Sequence, residues 1–336
     1  MRPVRQPLVI VQRRSALTQP DVPDGEPQEL RGELRDQLVA ALHRLPELAG
    51  REFRLTVLSG GITNRNFLVA PTGDSDRYVI RLAGNDTHLL GISREVEHAA
   101  TVAAAGVGVG PEVVAFIRPE GYLVTRFIDG RPVSLEEVRQ PAMLRRVADS
   151  VRRVHGGPAI PGLFVPLRIV EAYRALAAER GVAIPPAYEQ ARTVGRRIEA
   201  ALLAAPLEPR ACHNDLLNAN FIDDGERIRI VDWEYAGMGD PSFDLGNFSI
   251  NNELPPEADE VLLEAYAGAV TGASLARLRL MRIVSDFREA MWGVLQQGIS
   301  QLDVDFVAYA NEHFERLLAN ASGPAFEGAL TEAADA

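Results

Sequence analysis

Lysine is absent from this sequence, and cysteine occurs only once, at Cys212. A single cysteine excludes a disulfide framework within the chain, and we expect this residue in the hydrophobic core. All 35 basic side chains are arginines against 46 acidic residues, so the formal net charge is -11. That balance argues against nucleic acid as a partner and is compatible with a cationic ligand.

Long apolar segments are also lacking. No run reaches the roughly 18 apolar residues that a membrane-spanning helix needs. The apolar run at residues 8–11 is too short for a signal peptide, so we expect a cytoplasmic protein. Residues 1–27 are rich in proline, arginine and glutamine, which predicts a segment without fixed structure, and leucines at helical spacing predict a helix over 30–42.

The polar residues that stand out lie between positions 212 and 252. Asp215 lies five residues before Asn220, and Asp232 follows after the apolar run 228–231, which predicts a short buried strand. In kinases, an Asp in this order takes the proton of the attacking hydroxyl, while an Asn and a second Asp hold Mg²⁺ against the phosphates of ATP. We therefore predict a phosphoryl-transfer site with ATP and Mg²⁺ as cofactors.

Three phrases in this stretch resemble a known family. Residues 212–215 (CHND), 231–235 (VDWEY) and 243–247 (FDLGN) are similar to motifs of the choline/ethanolamine kinase branch of the aminoglycoside phosphotransferase superfamily. The resemblance covers residues 50–318. It implies structural roles for His213 and Asp244, and a place for Glu234 near a second metal or the substrate.

The resemblance also implies an α+β, bilobal protein-kinase-like fold. Its small N-terminal lobe, an antiparallel sheet that binds nucleotide, is expected over 28–128, and its larger, mostly helical C-terminal lobe over 129–320. Apolar positions at helical spacing within 143–154, 169–178 and 275–295 agree with a helical second lobe. Residues 321–336 are predicted to form a flexible tail.

Nucleotide contacts are expected in the first lobe. Gly60 and Gly61 sit between two alternating apolar stretches, which predicts a hairpin, and the resemblance places them with Asn64 on the loop that covers the nucleotide. A kinase needs a cation on its third strand, paired with a carboxylate from the next helix. Arg81 takes this role, because the chain has no lysine.

Two carboxylates compete as the partner of Arg81. The resemblance favours Glu97 over Glu95, and a solvated position on the helix surface is the alternative for Glu97. At the predicted hinge between the lobes, the resemblance implies that the backbone of Arg126 and Ile128 binds adenine.

The acceptor pocket is harder to predict. Trp292 and Tyr309 match aromatic walls of the choline pocket in the family, although a core position is the alternative for Trp292. Glu289 stands where the family carries a second tryptophan. A carboxylate there suits a primary ammonium at least as well as choline, and a quaternary ammonium relies on aromatic faces.

Choline or ethanolamine is therefore the expected acceptor, a small and cationic alcohol. Aminoglycosides, sugars and other amino alcohols remain alternatives, as does an inactive nucleotide-binding regulator. A protein kinase is disfavoured, because the Gly-x-Gly-x-x-Gly loop and the Ala-Pro-Glu phrase are missing.

Overall fold

The computed structural model describes residues 32–58, 64–84 and 87–335. Gly60, Gly61 and the predicted N-terminal extension 1–27 lie outside the described residues. The described residues divide into two compact units: those up to residue 84 together with 115–127, and those of 87–114 together with 128 onward.

A five-stranded sheet forms the first unit, in the strand order β1-β2-β3-β5-β4. Its strands β1, β2, β3 and β5 pair antiparallel in that order, and Arg81 in β3 stands opposite Asn66 in β2. Buried leucine, phenylalanine and isoleucine side chains fill its core, as the alternating pattern predicts. The elements are α1 (Glu33–Leu42), β1 (Phe53–Leu58), β2 (Asn64–Pro71), β3 (Tyr78–Ala83), β4 (Val113–Ile117) and β5 (Tyr122–Arg126).

Helices dominate the second unit. Its long helix α9 packs against α5, α7, α10 and α11, while α4 packs against α8. The helices are α2 (Arg94–Gly106), α3 (Leu135–Val138), α4 (Pro141–His155), α5 (Pro166–Glu179), α6 (Ala187–Ala204), α7 (Pro241–Asn251), α8 (Pro256–Ala267), α9 (Gly272–Ile299), α10 (Phe306–Asn320) and α11 (Pro324–Ala334). Among the described residues, no helix has both the length and the apolar character to cross a membrane.

Two small sheets flank the loops that carry Asp215 and Asp232. The first runs β6 (Arg131–Pro132), β8 (Phe221–Asp223), β9 (Ile228–Ile230), and the second pairs β7 (Arg210–Cys212) with β10 (Gly237–Gly239). The predicted buried strand before Asp232 is thus present as β9.

The unit boundary differs from the predicted lobe boundary. Residues 85–114, which include α2, group with the helical unit rather than with the sheet. Ala100 and Ala104 of α2 and the following Val109 belong to the same buried cluster as α4 and α8. Arg229 also donates to the backbone oxygen of Val109, at 3.1 Å. Burial of these side chains outweighs the proximity of α2 to β3 in the chain.

The C-terminal segment also differs from the prediction of a flexible tail. Pro324 opens α11, where its missing N–H costs nothing, and the helix packs against α6 and α9. Phe326 is buried, and Glu327 pairs with Arg197 at 2.7 Å. Ala329 and Ala333 of the same helix are also buried, so this segment is a helix packed on the rest of the unit.

Candidate active site

The loop after β7 presents Asp215, and a carboxylate from α7 holds its backbone. Asp244 accepts hydrogen bonds from the amides of His213 (2.8 Å) and Asn214 (2.6 Å). Asn214 has a φ of 66°, a left-handed conformation that asparagine tolerates better than most residues. The predicted structural roles of His213 and Asp244 agree with these contacts.

Two histidines lie close to the buried carboxylate of Asp244. Burial by itself raises the pKa of Asp244, but the hydrogen bond from His155 and the nearby His213 outweigh it and bring the pKa below its ordinary value. The Nε2 atom of His155 lies 3.0 Å from the carboxylate. Cys212, next to this cluster, is buried, and burial raises the pKa of its thiol, which agrees with the expected core role.

Two asparagines fasten the residue after Asp215. The side-chain oxygen of Asn247 accepts from the amide of Leu216 at 2.6 Å, and the amide group of Asn252 donates to the Leu216 carbonyl at 3.2 Å. Asn247 in turn donates to the hydroxyl of Ser285 on α9. The polar side chains of the phrase 243–247 therefore hold the backbone of the loop that carries Asp215.

Asn220 and Asp232 are joined to the same loop. The side-chain amide of Asn220 donates to the backbone oxygen of Asp215 at 2.9 Å, and the backbone carbonyl of Asn220 accepts from the amide of Val231 at 3.0 Å. Asp232 follows directly, in a left-handed conformation with a φ of 70°. The three residues predicted from the motif thus lie on adjoining backbone segments.

Arg288 on α9 is a residue that sequence reasoning missed. Its Nη1 atom lies 3.4 Å from Oδ1 of Asp215 and 2.5 Å from Oε1 of Glu289, and the side chain is 1% exposed. Burial alone lowers the pKa of Arg288, but Glu289 and Asp215 raise it well above its ordinary value. No motif marks this arginine, because its partner Asp215 lies 73 positions away.

The aromatic residues predicted for the acceptor pocket meet beside Arg288. The hydroxyl of Tyr309 donates to Oε2 of Glu289 at 2.5 Å, and the rings of Tyr309 and Trp292 lie 5.7 Å apart. Trp292 donates its indole N–H to the hydroxyl of Tyr235 at 3.2 Å. Tyr235 itself was missed, although it lies in the phrase 231–235.

Glu234 and Glu97 share a second arginine. Arg94 lies 2.5 Å from Glu97 and 3.7 Å from Glu234. Glu97 is 2% exposed, so it is not the solvated surface carboxylate that was the alternative, whereas Glu95 is exposed. Sequence reasoning assigned no role to Arg94.

The first unit carries two of the residues predicted to contact nucleotide. Arg81 donates to the side-chain oxygen of Asn66 at 3.4 Å, and Asn64 begins β2 as a buried residue. The pairing of Arg81 with Glu97 or Glu95 stays a prediction. The hinge contact expected of Arg126, which ends β5, and of Ile128 also stays a prediction.

Known proteins share the sequence pattern and the fold of this chain. The model of the phosphotransferase enzyme family matches residues 54–281. A choline/ethanolamine kinase family protein from Mesorhizobium loti is 32% identical, with a TM-score of 0.78 over 90% of this chain and 100% of that one. Human ethanolamine kinase 2 is 26% identical over 83% of this chain and 81% of its own length.

The match to a further relative covers only part of both proteins. Protein LicA of Haemophilus influenzae is 27% identical over 62% of this chain, and the match spans 61% of LicA. The family match and the Mesorhizobium loti structure confirm the predicted kinase-like fold. The chain therefore belongs to the phosphotransferase enzyme family, and choline and ethanolamine kinases are among its relatives.

Proposed function

We propose that the protein transfers the γ-phosphoryl group of ATP to the hydroxyl of a small amino alcohol, choline or ethanolamine. One observation carries the choice of acceptor: Arg288 joins Asp215 directly to Glu289, and Glu289 is bonded to Tyr309. A residue suited to receive a hydroxyl proton therefore lies one side chain away from an acidic, aromatic wall suited to a cation.

In this reaction, Asp215 orients the acceptor hydroxyl and takes its proton. The acceptor oxygen forms a new bond to the γ-phosphorus while the bond between that phosphorus and the β,γ-bridging oxygen breaks, and ADP leaves. Asp244 and Asn247 hold the loop, so Asp215 needs little rearrangement to reach the hydroxyl. The backbone carbonyl of Asp215 is tied to Asn220, which fixes both residues together.

Asn220 and Asp232 would hold Mg²⁺. Both offer oxygen atoms, the donor type that this cation prefers, and the amide nitrogen of Asn220 is already engaged with the Asp215 carbonyl. That bond leaves the side-chain oxygen of Asn220 as its ligand atom. Mg²⁺ would neutralise charge on the phosphates of ATP.

Names of relatives support the acceptor class. The Mesorhizobium loti protein belongs to a choline/ethanolamine kinase family, and human ethanolamine kinase 2 is similar over most of this chain.

Release of ADP from MgATP with separate acceptors tests the proposal. Ethanolamine, choline and kanamycin are compared, with Asp215→Asn as the control variant. We expect turnover with ethanolamine or choline and a loss of at least about a hundredfold in Asp215→Asn, because general-base catalysis contributes about that much. Turnover with kanamycin alone, or a variant that keeps more than about a tenth of the rate, would contradict the proposal.

A further inference from the structure

The proposed acceptor wall consists of Tyr235, Glu289, Trp292 and Tyr309. Arg288 places a cation on an aromatic face of this wall. Its guanidinium carbon lies 4.2 Å from the centre of the Tyr235 ring. At this distance a guanidinium is attracted by the electron-rich face of the ring. The face that would attract a ligand cation is thus covered by the protein's own arginine.

The neighbouring rings are also engaged with one another. Trp292 is 2% exposed, and its indole N–H is donated to the Tyr235 hydroxyl. Its ring packs at 5.8 Å from Phe306 and at 5.7 Å from Tyr309, both close to edge-on. A quaternary ammonium has no N–H to donate and depends on such faces for its affinity. These rings therefore offer a quaternary ammonium little aromatic surface to bind.

The charges and hydrogen-bond acceptors favour a different head group. Asp215 and Glu289 carry two negative charges against the one positive charge of Arg288, so these three side chains together attract a monocation. The oxygens of both carboxylates and of the Tyr309 hydroxyl accept hydrogen bonds. An ammonium group with N–H donors matches them, and a charged donor to a carboxylate makes a strong hydrogen bond.

Packing alone does not explain an arginine at this position. Its Nε and Nη2 atoms are buried and have no hydrogen-bond partner among the residues that the structure describes. Unsatisfied buried donors destabilise a protein, and an apolar side chain of similar length avoids that cost. The guanidinium is therefore explained by its charge and by its place on the Tyr235 ring.

We propose that the Arg288–Glu289 pair determines acceptor selectivity, so that the enzyme favours amino alcohols with N–H donors on nitrogen over those with a quaternary ammonium. This inference rests on the proposed amino-alcohol kinase function and narrows it. Ethanolamine is the preferred acceptor, and choline is disfavoured because Arg288 occupies the ring face it needs.

A methylation series tests the selectivity in the unmodified protein. The kcat/KM is measured for ethanolamine, its N-methyl and N,N-dimethyl derivatives, and choline, which lose one N–H at each step. We expect kcat/KM to fall along the series, with choline at least about tenfold below ethanolamine, as for sites that hydrogen-bond a group their poorer substrate lacks.

The double variant Arg288→Met/Glu289→Gln tests the residues. It removes one charge of each sign, so the net charge is kept, while the Tyr235 ring is uncovered and Tyr309 retains a partner. We expect the ratio of choline to ethanolamine kcat/KM to rise at least about tenfold. The matched control is Arg277→Met, a buried arginine of the same helix paired with Asp240 at 2.7 Å, and we expect its ratio to stay at the parent value.

The outcomes distinguish the proposed acceptor selectivity from the proposed kinase function. Choline used as well as ethanolamine by the parent enzyme overturns the selectivity and leaves the kinase function standing. An unchanged ratio in a double variant that still binds MgATP overturns the role of Arg288 and Glu289. If the double variant does not fold, the methylation series and the variant Arg288→Lys test the selectivity instead. We expect Arg288→Lys to keep the preference for ethanolamine. No turnover of any acceptor overturns the function itself.

Discussion

The carboxylate of Asp244 accepts a 2.6 Å hydrogen bond from the backbone amide of Asn214. Asn214 immediately precedes Asp215 and adopts a left-handed conformation. A helix that carries none of the residues proposed to contact substrate thus holds the backbone from which the proposed base projects. The conformation of the loop depends on this contact, because a non-glycine residue in that region needs support from its surroundings.

Asp244→Asn is expected to lower kcat at least about tenfold, because an amide cannot accept on both atoms as the carboxylate does and the loop amides lose a partner. MgATP affinity should change little. Steady-state kinetics and nucleotide binding measure the two effects. Asp259→Asn is the matched control, a buried carboxylate held by Ser249 and Arg282. An equal loss of kcat in both variants would mean general destabilisation instead.

Asp232→Asn should raise the Mg²⁺ concentration for half-maximal activity at least about tenfold, since a neutral amide is a weaker ligand for a hard cation than a carboxylate. A Mg²⁺ titration of the rate at saturating nucleotide measures this. Asp223→Asn serves as the control, because Asp223 is engaged by Arg146 at 2.7 and 2.8 Å. The same Mg²⁺ dependence in parent and Asp232→Asn would remove Asp232 from the metal site.

Asp223 makes stability depend on pH. The hydrogen bonds from Arg146 lower the pKa of Asp223 from 3.8 to about 2. Because the folded pKa lies below the unfolded one, the stabilisation is complete above about pH 4 and is lost as the pH falls through about 2. Asp223→Asn should lower the free energy of unfolding by at most about 2 kcal/mol at pH 7 and by less at pH 3.

Urea unfolding of parent and variant at the two pH values measures this difference. Glu327→Gln, which breaks the exposed ion pair with Arg197, is the control and should change stability little at either pH, because water and salt screen it. A difference in the free energy of unfolding between parent and Asp223→Asn that stays constant from pH 7 to 3 would contradict the lowered pKa of Asp223.

Trp292→Phe tests the acceptor wall. The change keeps an aromatic ring but removes the hydrogen bond to Tyr235, so we expect the KM for ethanolamine to rise several-fold while the KM for ATP stays constant. The control is Phe287→Leu on the same helix, whose ring packs between Tyr188 and Phe314 and should affect stability only. A parallel rise in both KM values would assign Trp292 to packing.

Gly246 allows α7 to approach α9 closely. A Cβ at this position would lie 2.6 Å from the Cβ of Met281 and 2.7 Å from its backbone carbon. Gly246→Ala should therefore lower the free energy of unfolding by about 1–3 kcal/mol through overpacking. Gly328→Ala in α11 meets no atom within 4 Å and should be neutral or stabilising. Thermal unfolding of both variants decides, and a stable Gly246→Ala would show that the helices can separate.

Much of the candidate site could be predicted because it lies within one short stretch of chain. The spacing of Asp215, Asn220 and Asp232 reflects a loop, a strand and a turn, all of which local sequence specifies. Helical spacing likewise predicted α4, α5 and α9. Helix α11 was not predicted, since a short alanine-rich segment depends on tertiary packing for its stability, and here Phe326, Ala329 and Ala333 are buried against the rest of the unit.

The sequence by itself determined which polar residues the loop of Asp215 carries and the family to which the chain belongs. Only the tertiary structure decided what surrounds that loop: Arg288 meets Asp215 across 73 positions, and Arg94 reaches Glu234 from a different helix. Local patterns carry no information about such pairs, because they depend on how α9 and α2 pack against the loop. The surroundings of Asp215 therefore follow from helix packing, whereas the motif alone was enough to select Asp215 as a candidate site residue.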